Sequence, residues 1–181
     1  MELVNKKILF FDHDPKMSGS SISLKYIIEE FKRQCVDVYL FTQKEKKYYK
    51  IFEEIGVKVI SISGSKFKSF ALSTHFGDDY EFFSLNWLLT FIKNLIRLII
   101  GSITCWQAIR NLKPHLVYLN EHNMFYIAII AKALSVKTFI HLRSNFIKGK
   151  FGISERLISK FIYRFNDFIF ATVVLFFDAI E

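Results

Sequence analysis

Short apolar runs that stop at polar tips alternate along this chain with segments whose apolar residues recur every three or four positions. Ile8-Leu9-Phe10-Phe11 ends at Asp12-His13-Asp14-Pro15, the pattern of a strand buried on both faces and running into a loop. After Ser18-Gly19-Ser20-Ser21, the residues Leu24, Ile27, Ile28 and Phe31 fall at helical spacing, with Ser20 or Ser21 as the candidate N-cap. Val36 to Phe41 predicts a second strand. Tyr48, Ile51, Phe52 and Ile55 predict a helix that Gly56 stops, and Val57 to Ile60 a third strand. From Ser61 to Asp79 no period is visible, which predicts a long loop of the functional or mobile kind.

The second half repeats the theme. Leu116 to Leu119, Thr138 to Leu142 and Phe168 to Thr172 predict three more strands, and Met124 to Leu134 and Ile153 to Phe165 predict helices. Six strands alternating with five helices predict an α/β fold, a Rossmann-like parallel sheet with helices on both faces. Ligands in such sheets bind beyond the carboxyl ends of the strands. That places the chemistry at three tips: Asp12 to Ser21, Asn120 to Asn123, and Arg143 to Asn145.

One segment, Asn86 to Leu112, is apolar over a length that could cross a bilayer. Its strongly apolar residues contribute roughly −3 to −6 kcal/mol, against about +5 to +7 kcal/mol for Lys93 and Arg97 near its centre, so spanning at best breaks even. Thr90, Lys93, Asn94, Arg97 and Gly101 recur at intervals of three and four. They form a narrow polar stripe, expected of a core helix with one wet edge. Lying on a membrane surface is the alternative.

Composition narrows the picture further. The 181 residues suffice for one domain, and 51% hydrophobic with 23% charged residues excludes a disordered chain. Gly and Pro number seven and two, too few for a turn-rich all-β design. The 21 Phe, and 19 Lys against six Arg, fit an AT-rich coding genome and carry no functional weight. Net charge is +8, unevenly placed: residues 91–181 hold 12 basic and five acidic residues, whereas residues 1–90 hold 13 and 12. This basic half is a candidate surface for phosphate-bearing partners or an anionic membrane. Direct nucleic-acid readout is not indicated, since no helix-turn-helix, RNA-recognition motif or metal finger accompanies the charge. Cys35 and Cys105 are far apart among apolar neighbours, which fits a reduced cytosolic setting. The N-terminal residues do not read as a signal peptide.

At the first tip, Ser18, Gly19, Ser20 and Ser21 offer either backbone N–H groups for a phosphate or an ordinary serine-capped turn. Neither a G-x-G-x-x-G nor a P-loop is present. At the second tip, Asn120, Glu121 and His122 could bind sugar hydroxyls or move a proton, while Asn120 and Asn123 could equally be caps. Arg143 is placed to complement an anion, with Asn145 beside it, or is a solvated surface cation. His13, His75, His115 and His141 lack partners at metal-ligand spacing and read as structural.

The order of Lys7-Ile8-Leu9-Phe10-Phe11, a glycine-containing loop before a helix, Lys113-Pro114-His115-Leu116-Val117-Tyr118-Leu119-Asn120, Val136 to Arg143 and Asn166 to Thr172 resembles the N-terminal domain of family-4 retaining glycosyltransferases of the GT-B fold. The resemblance runs through nearly the whole chain and lies in the order and spacing of loose motifs. It implies two Rossmann-like domains across a cleft, a nucleotide-diphosphate sugar donor, a glycan or lipid-linked acceptor in cell-surface polysaccharide synthesis, no cofactor and no obligatory metal. It implies further that Ser18 to Ser21 approach the donor diphosphate, and that Asn120, Glu121, His122, Arg143 and Asn145 lie on the acceptor side. Two departures stand out: Arg143 occupies a position often held by histidine, and one glycine replaces adjacent glycines. On this reading residues 1–172 are the acceptor-side domain and 173–181 the start of an interdomain segment. The chain is then an incomplete half, inactive alone. A non-catalytic nucleotide- or protein-binding module is the alternative, and a protein spanning a membrane through residues 86–105 a third.

Overall fold

In a computed structural model, residues 6–14, 16–62, 70–72, 85–143 and 153–171 are described. The six expected strands form one parallel sheet. They are β1 (Lys7–Asp12), β2 (Asp37–Thr42), β3 (Lys58–Ser61), β4 (Leu116–Leu119), β5 (Lys137–Leu142) and β6 (Phe168–Ala171). The helices are α1 (Gly19–Arg33), α2 (Lys46–Glu54), α3 (Leu85–Leu112), α4 (Tyr126–Ala133) and α5 (Ile153–Phe165). Strand order is β3-β2-β1-β4-β5-β6. The sheet therefore grows in one direction from β1 to β3 and in the other from β4 to β6, and the order reverses at the β1/β4 seam.

Alternation along β1 explains why its apolar run is unbroken. Ile8 and Phe10 point to one face, where Leu24 and Ile28 of α1 and Phe52 of α2 cover them. Leu9 and Phe11 point to the other, under Cys105 and Ile109 of α3, Ile127 and Ala131 of α4 and Ile162 of α5. A strand flanked on both sides must be apolar at every position. Phe70 joins this second face, its ring 5.4 Å from Phe41 and 6.1 Å from Phe11. Gly56 follows α2 with φ +78°, the left-handed stop that glycine favours.

Several expectations change. The N-cap of α1 is Ser18, whose Oγ accepts from the Ser21 N–H, and not Ser20 or Ser21. The predicted helix from Met124 is a 3₁₀ turn (His122–Met124) followed by the shorter α4, and that turn is capped by Glu121 in place of Asn120 or Asn123. Asn145, His75, segment 173–181 and most of the Ser61–Asp79 loop lie outside the described residues.

α3 departs most from expectation. Of the polar stripe, Asn94 and Gly101 face the protein, and Gly101 gives Tyr126 room: a Cβ there would lie 2.4 Å from the Tyr126 Oη. Tyr126 in turn donates to the Phe70 carbonyl at 2.6 Å. Leu88, Ile92, Leu95, Ile99, Ile103 and Trp106 are exposed. The wet edge of a core helix is thus a broad apolar face turned outward.

Candidate functional site

The carboxyl ends of β1, β2, β4 and β5 carry a connected set of polar side chains around the seam. Asp12 closes β1 and is fully buried; Lys44, two residues beyond β2, is equally buried. The Lys44 Nζ lies 3.2 Å from the Asp12 Oδ2 and donates to the carbonyls of Asp14 and Lys16, both at 2.6 Å, and to the Ser21 Oγ at 2.9 Å. An ammonium out of water is tolerated only when its donors are met and a counter-charge is adjacent. This one ties β2 to the loop after β1 and to the first turn of α1.

From Asp12 the network crosses the seam. Asn120, directly after β4, donates from Nδ2 to the Asp12 Oδ1 at 3.4 Å and accepts from the Arg143 Nε at 2.7 Å. Asn123 donates from Nδ2 to the His13 Nε2 at 3.0 Å, and Gln43 donates to the His13 carbonyl. The His13 ring thus accepts through Nε2, leaving Nδ1 with the proton, and burial holds its pKa below the ordinary value. The result is a chain Lys44–Asp12–Asn120–Arg143 with a second bridge, His13–Asn123, in front of it.

What remains unused in this network is informative. The His13 Nδ1, Gln43 Oε1, Asn123 Oδ1 and Arg143 Nη2 are buried atoms with no protein partner. Buried polar atoms are rarely left so, and those without partners mark places where water or ligand completes the set. Here all four belong to the tips of β1, β2, β4 and β5, the crevice where ligands bind in sheets of this topology.

The expected site residues divide into groups. Asn120 and Arg143 are brought together. Ser21 joins them through Asp12 and Lys44, while the Ser18 Oγ lies 2.8 Å from the Ser20 Oγ and 3.2 Å from the Ser21 Oγ, so all three hydroxyls are engaged within the loop. Gly19 is exposed and open, with nothing within 4 Å of where a Cβ would stand. Glu121 and His122 are buried, the Glu121 Oε1 accepting the His122 N–H at 3.0 Å and lying 2.7 Å from its Nδ1.

Of the histidines read as structural, His115 accepts the Lys7 N–H at 3.1 Å, and His141 lies 2.6 Å from the Tyr118 Oη. Burial and then Arg143 push the His141 pKa down to about 4, and burial lifts Tyr118 to about 12, so a neutral phenol and a neutral imidazole share this hydrogen bond. His13 is different: it belongs to the crevice, and its position immediately past β1 was the available signal. Asp12 was placed at the first tip without a role, and Gln43 and Lys44 escaped sequence reasoning. Among the described residues no group of three or more His, Cys, Asp or Glu could hold a metal ion.

Solved structures with the same arrangement include MurG of Acinetobacter baumannii, with a TM-score of 0.56 at 10% identity. The fold is GT-B-like. The match covers 97% of this chain and 44% of that one. Anabaena Alr3699/HepE, solved in complex with UDP and glucose, gives 0.55 at 16% identity over 91% of this chain and 37% of its own. A UDP-N-acetylglucosamine 2-epimerase gives 0.52 at 10% identity over 92% and 42%. This chain therefore spans less than half the length of each. No family model and no curated protein matches. At such identities the likeness is one of fold, and this fold carries epimerase as well as transferase chemistry, so function has to be argued from the crevice.

Proposed function

We propose that this chain is the acceptor-side half of a GT-B glycosyltransferase, of the retaining, family-4-like kind. It works opposite a second Rossmann-like domain that brings a nucleotide-diphosphate sugar, and extends a glycan or lipid-linked acceptor in the cytoplasm for cell-surface polysaccharide. The observation carrying this reading is the set of unpartnered buried atoms at the β1/β4 seam. Two donors, His13 Nδ1–H and Arg143 Nη2, stand with two acceptors, Gln43 Oε1 and Asn123 Oδ1. Such a mixed set suits sugar hydroxyls, each of which both donates and accepts, while Arg143 complements a developing or resident negative charge.

In this reading Asp12 and Lys44 hold the tip of β1 rigid, and Asn120 orients the Arg143 guanidinium. Glu121 and His122 shape the wall beside it. The open backbone at Gly19, at the N-terminus of α1, is where a diphosphate would approach. Sugar transfer requires the opposite domain, so the 181 residues alone are inactive.

The test joins the coding sequence downstream of Glu181 to this chain and assays transfer from a panel of radiolabelled nucleotide sugars into glycan or lipid fractions. Transfer that Arg143→Ala reduces at least about tenfold, the cost of one lost charged contact, supports the reading. A downstream sequence encoding no second Rossmann-like domain, or transfer by the 181 residues alone, overturns it in favour of a self-standing α/β module or enzyme.

A further inference from the structure

We propose that the outward face of α3 docks in the interfacial plane of an anionic lipid bilayer. At about 100° per residue, Leu88, Ile92, Leu95, Ile99, Ile103 and Trp106 fall within a single arc, and all six side chains are exposed, Ile99 and Ile103 at 54% each. A contiguous apolar strip of this kind, running from Leu88 to Trp106 of a 28-residue helix, marks a surface that meets a partner or a membrane. By length and composition Leu88–Leu112 could cross a membrane. Its opposite face, however, is committed to the domain: Cys105 and Ile109 are buried in the core, and Tyr126 of α4 fills the notch at Gly101. A helix fixed along one side to a folded domain can present the other side to a bilayer without threading through it.

Charge selects the occupant. α3 contains no acidic residue, while Lys93 lies beyond one edge of the apolar arc, Arg97 further round on the same side, and Arg110 falls within the arc at its carboxyl end. A second copy docking through the same face would offer the basic residues no acidic partner on α3, since two-fold pairing repeats one patch on both sides. Anionic headgroups meet the basic flank while the acyl boundary receives the strip, the arrangement of an in-plane amphipathic helix. This docking stands apart from the transferase reading and holds whichever reaction the crevice serves.

Flotation of the purified chain with vesicles of equal parts phosphatidylglycerol and phosphatidylcholine tests it. The chain is expected to float at low salt and to lose binding on pure phosphatidylcholine. Ile99→Glu with Ile103→Glu should lower partitioning by about tenfold or more, as two apolar contacts are replaced by charge. Lys93→Gln and Arg110→Gln should each lower it about fivefold. These positions are at the surface, so the variants should melt with the parent; Leu98→Gln, on the packed side, controls for unfolding. No flotation on anionic vesicles overturns the proposal. So does flotation that the outward variants leave unchanged, or a dimer that they dissolve in a chain that does not bind vesicles.

Discussion

Lys44→Met isolates the buried pair under the crevice. In the parent the ammonium has a carboxylate oxygen at 3.2 Å, two carbonyls at 2.6 Å and a hydroxyl at 2.9 Å. Methionine reaches about as far as the Lys44 Cε and meets none of them. Asp12 is then fully buried with only long contacts, from Asn120 at 3.4 Å and from Ser21 and the Asp14 N–H at 3.5 Å each. Removing one partner of such a pair costs about 3–5 kcal/mol, a large share of the ~5–15 kcal/mol that holds a domain together. At ~2–4 °C per kcal/mol for this size the melting temperature should fall by ~6–20 °C. Asp12→Asn should restore about 1–3 kcal/mol in the Lys44→Met background, because it removes the stranded charge, while destabilising the parent. Urea and thermal unfolding of the four proteins, followed by circular dichroism, close a double-mutant cycle. Additive effects, or a Lys44→Met protein melting within ~2 °C of the parent, would refute the reasoning.

Three further outcomes are expected. Gly101→Ala should destabilise by about 1–3 kcal/mol, since its Cβ would meet the Tyr126 Oη at 2.4 Å, and less than half of that in a Tyr126→Phe background; equal costs in both contradict the notch. Burial and Arg143 hold His141 near pKa 4, and burial lowers His13. Below about pH 6.5 the unfolded chain therefore binds protons that the native chain refuses, and stability should fall as pH drops through the window down to about 4. His141→Gln should flatten that slope in unfolding midpoints measured across it, and an unchanged slope counts against the assignment. Cys105 is buried with its thiol pushed up by desolvation, whereas Cys35 is exposed, so Ellman's reagent should titrate one thiol in the native protein and two after denaturation.

The sheet was legible because its four central strands, β2, β1, β4 and β5, are largely buried, which writes each as a mostly apolar run ending at a polar tip. Asn120 and Arg143 were legible for the same reason, lying where two such runs stop. Lys44 was not. It sits in Gln43-Lys44-Glu45-Lys46-Lys47, a stretch that looks solvated, and only the parallel pairing of β2 with β1 carries its ammonium to Asp12. The shift of the cap from Ser20 or Ser21 to Ser18 has the same origin: three serines can each cap, and Lys44 draws Ser21 inward. α3 misled through its periodicity, which locates a polar stripe without saying which way it faces. Gly101 counted as polar, yet its lack of a side chain is what lets Tyr126 in.

The seam between β1 and β4 also sets a timetable. Ile8 pairs with Leu116 and Phe11 with Leu119, so the sheet's central pairing joins residues 108 apart, while β1 and β2 meet across 30, as in Lys7 with Asp37. At ~5–20 residues per second of synthesis, β1 waits roughly 5–20 s for the neighbour that completes the sheet's middle. During that interval the β1–β2–β3 half carries an unpaired central edge of apolar strand. The crevice, built from both sides of the seam, is among the last parts of the molecule to exist, and a nascent chain stalled before residue 116 is one for a chaperone to hold.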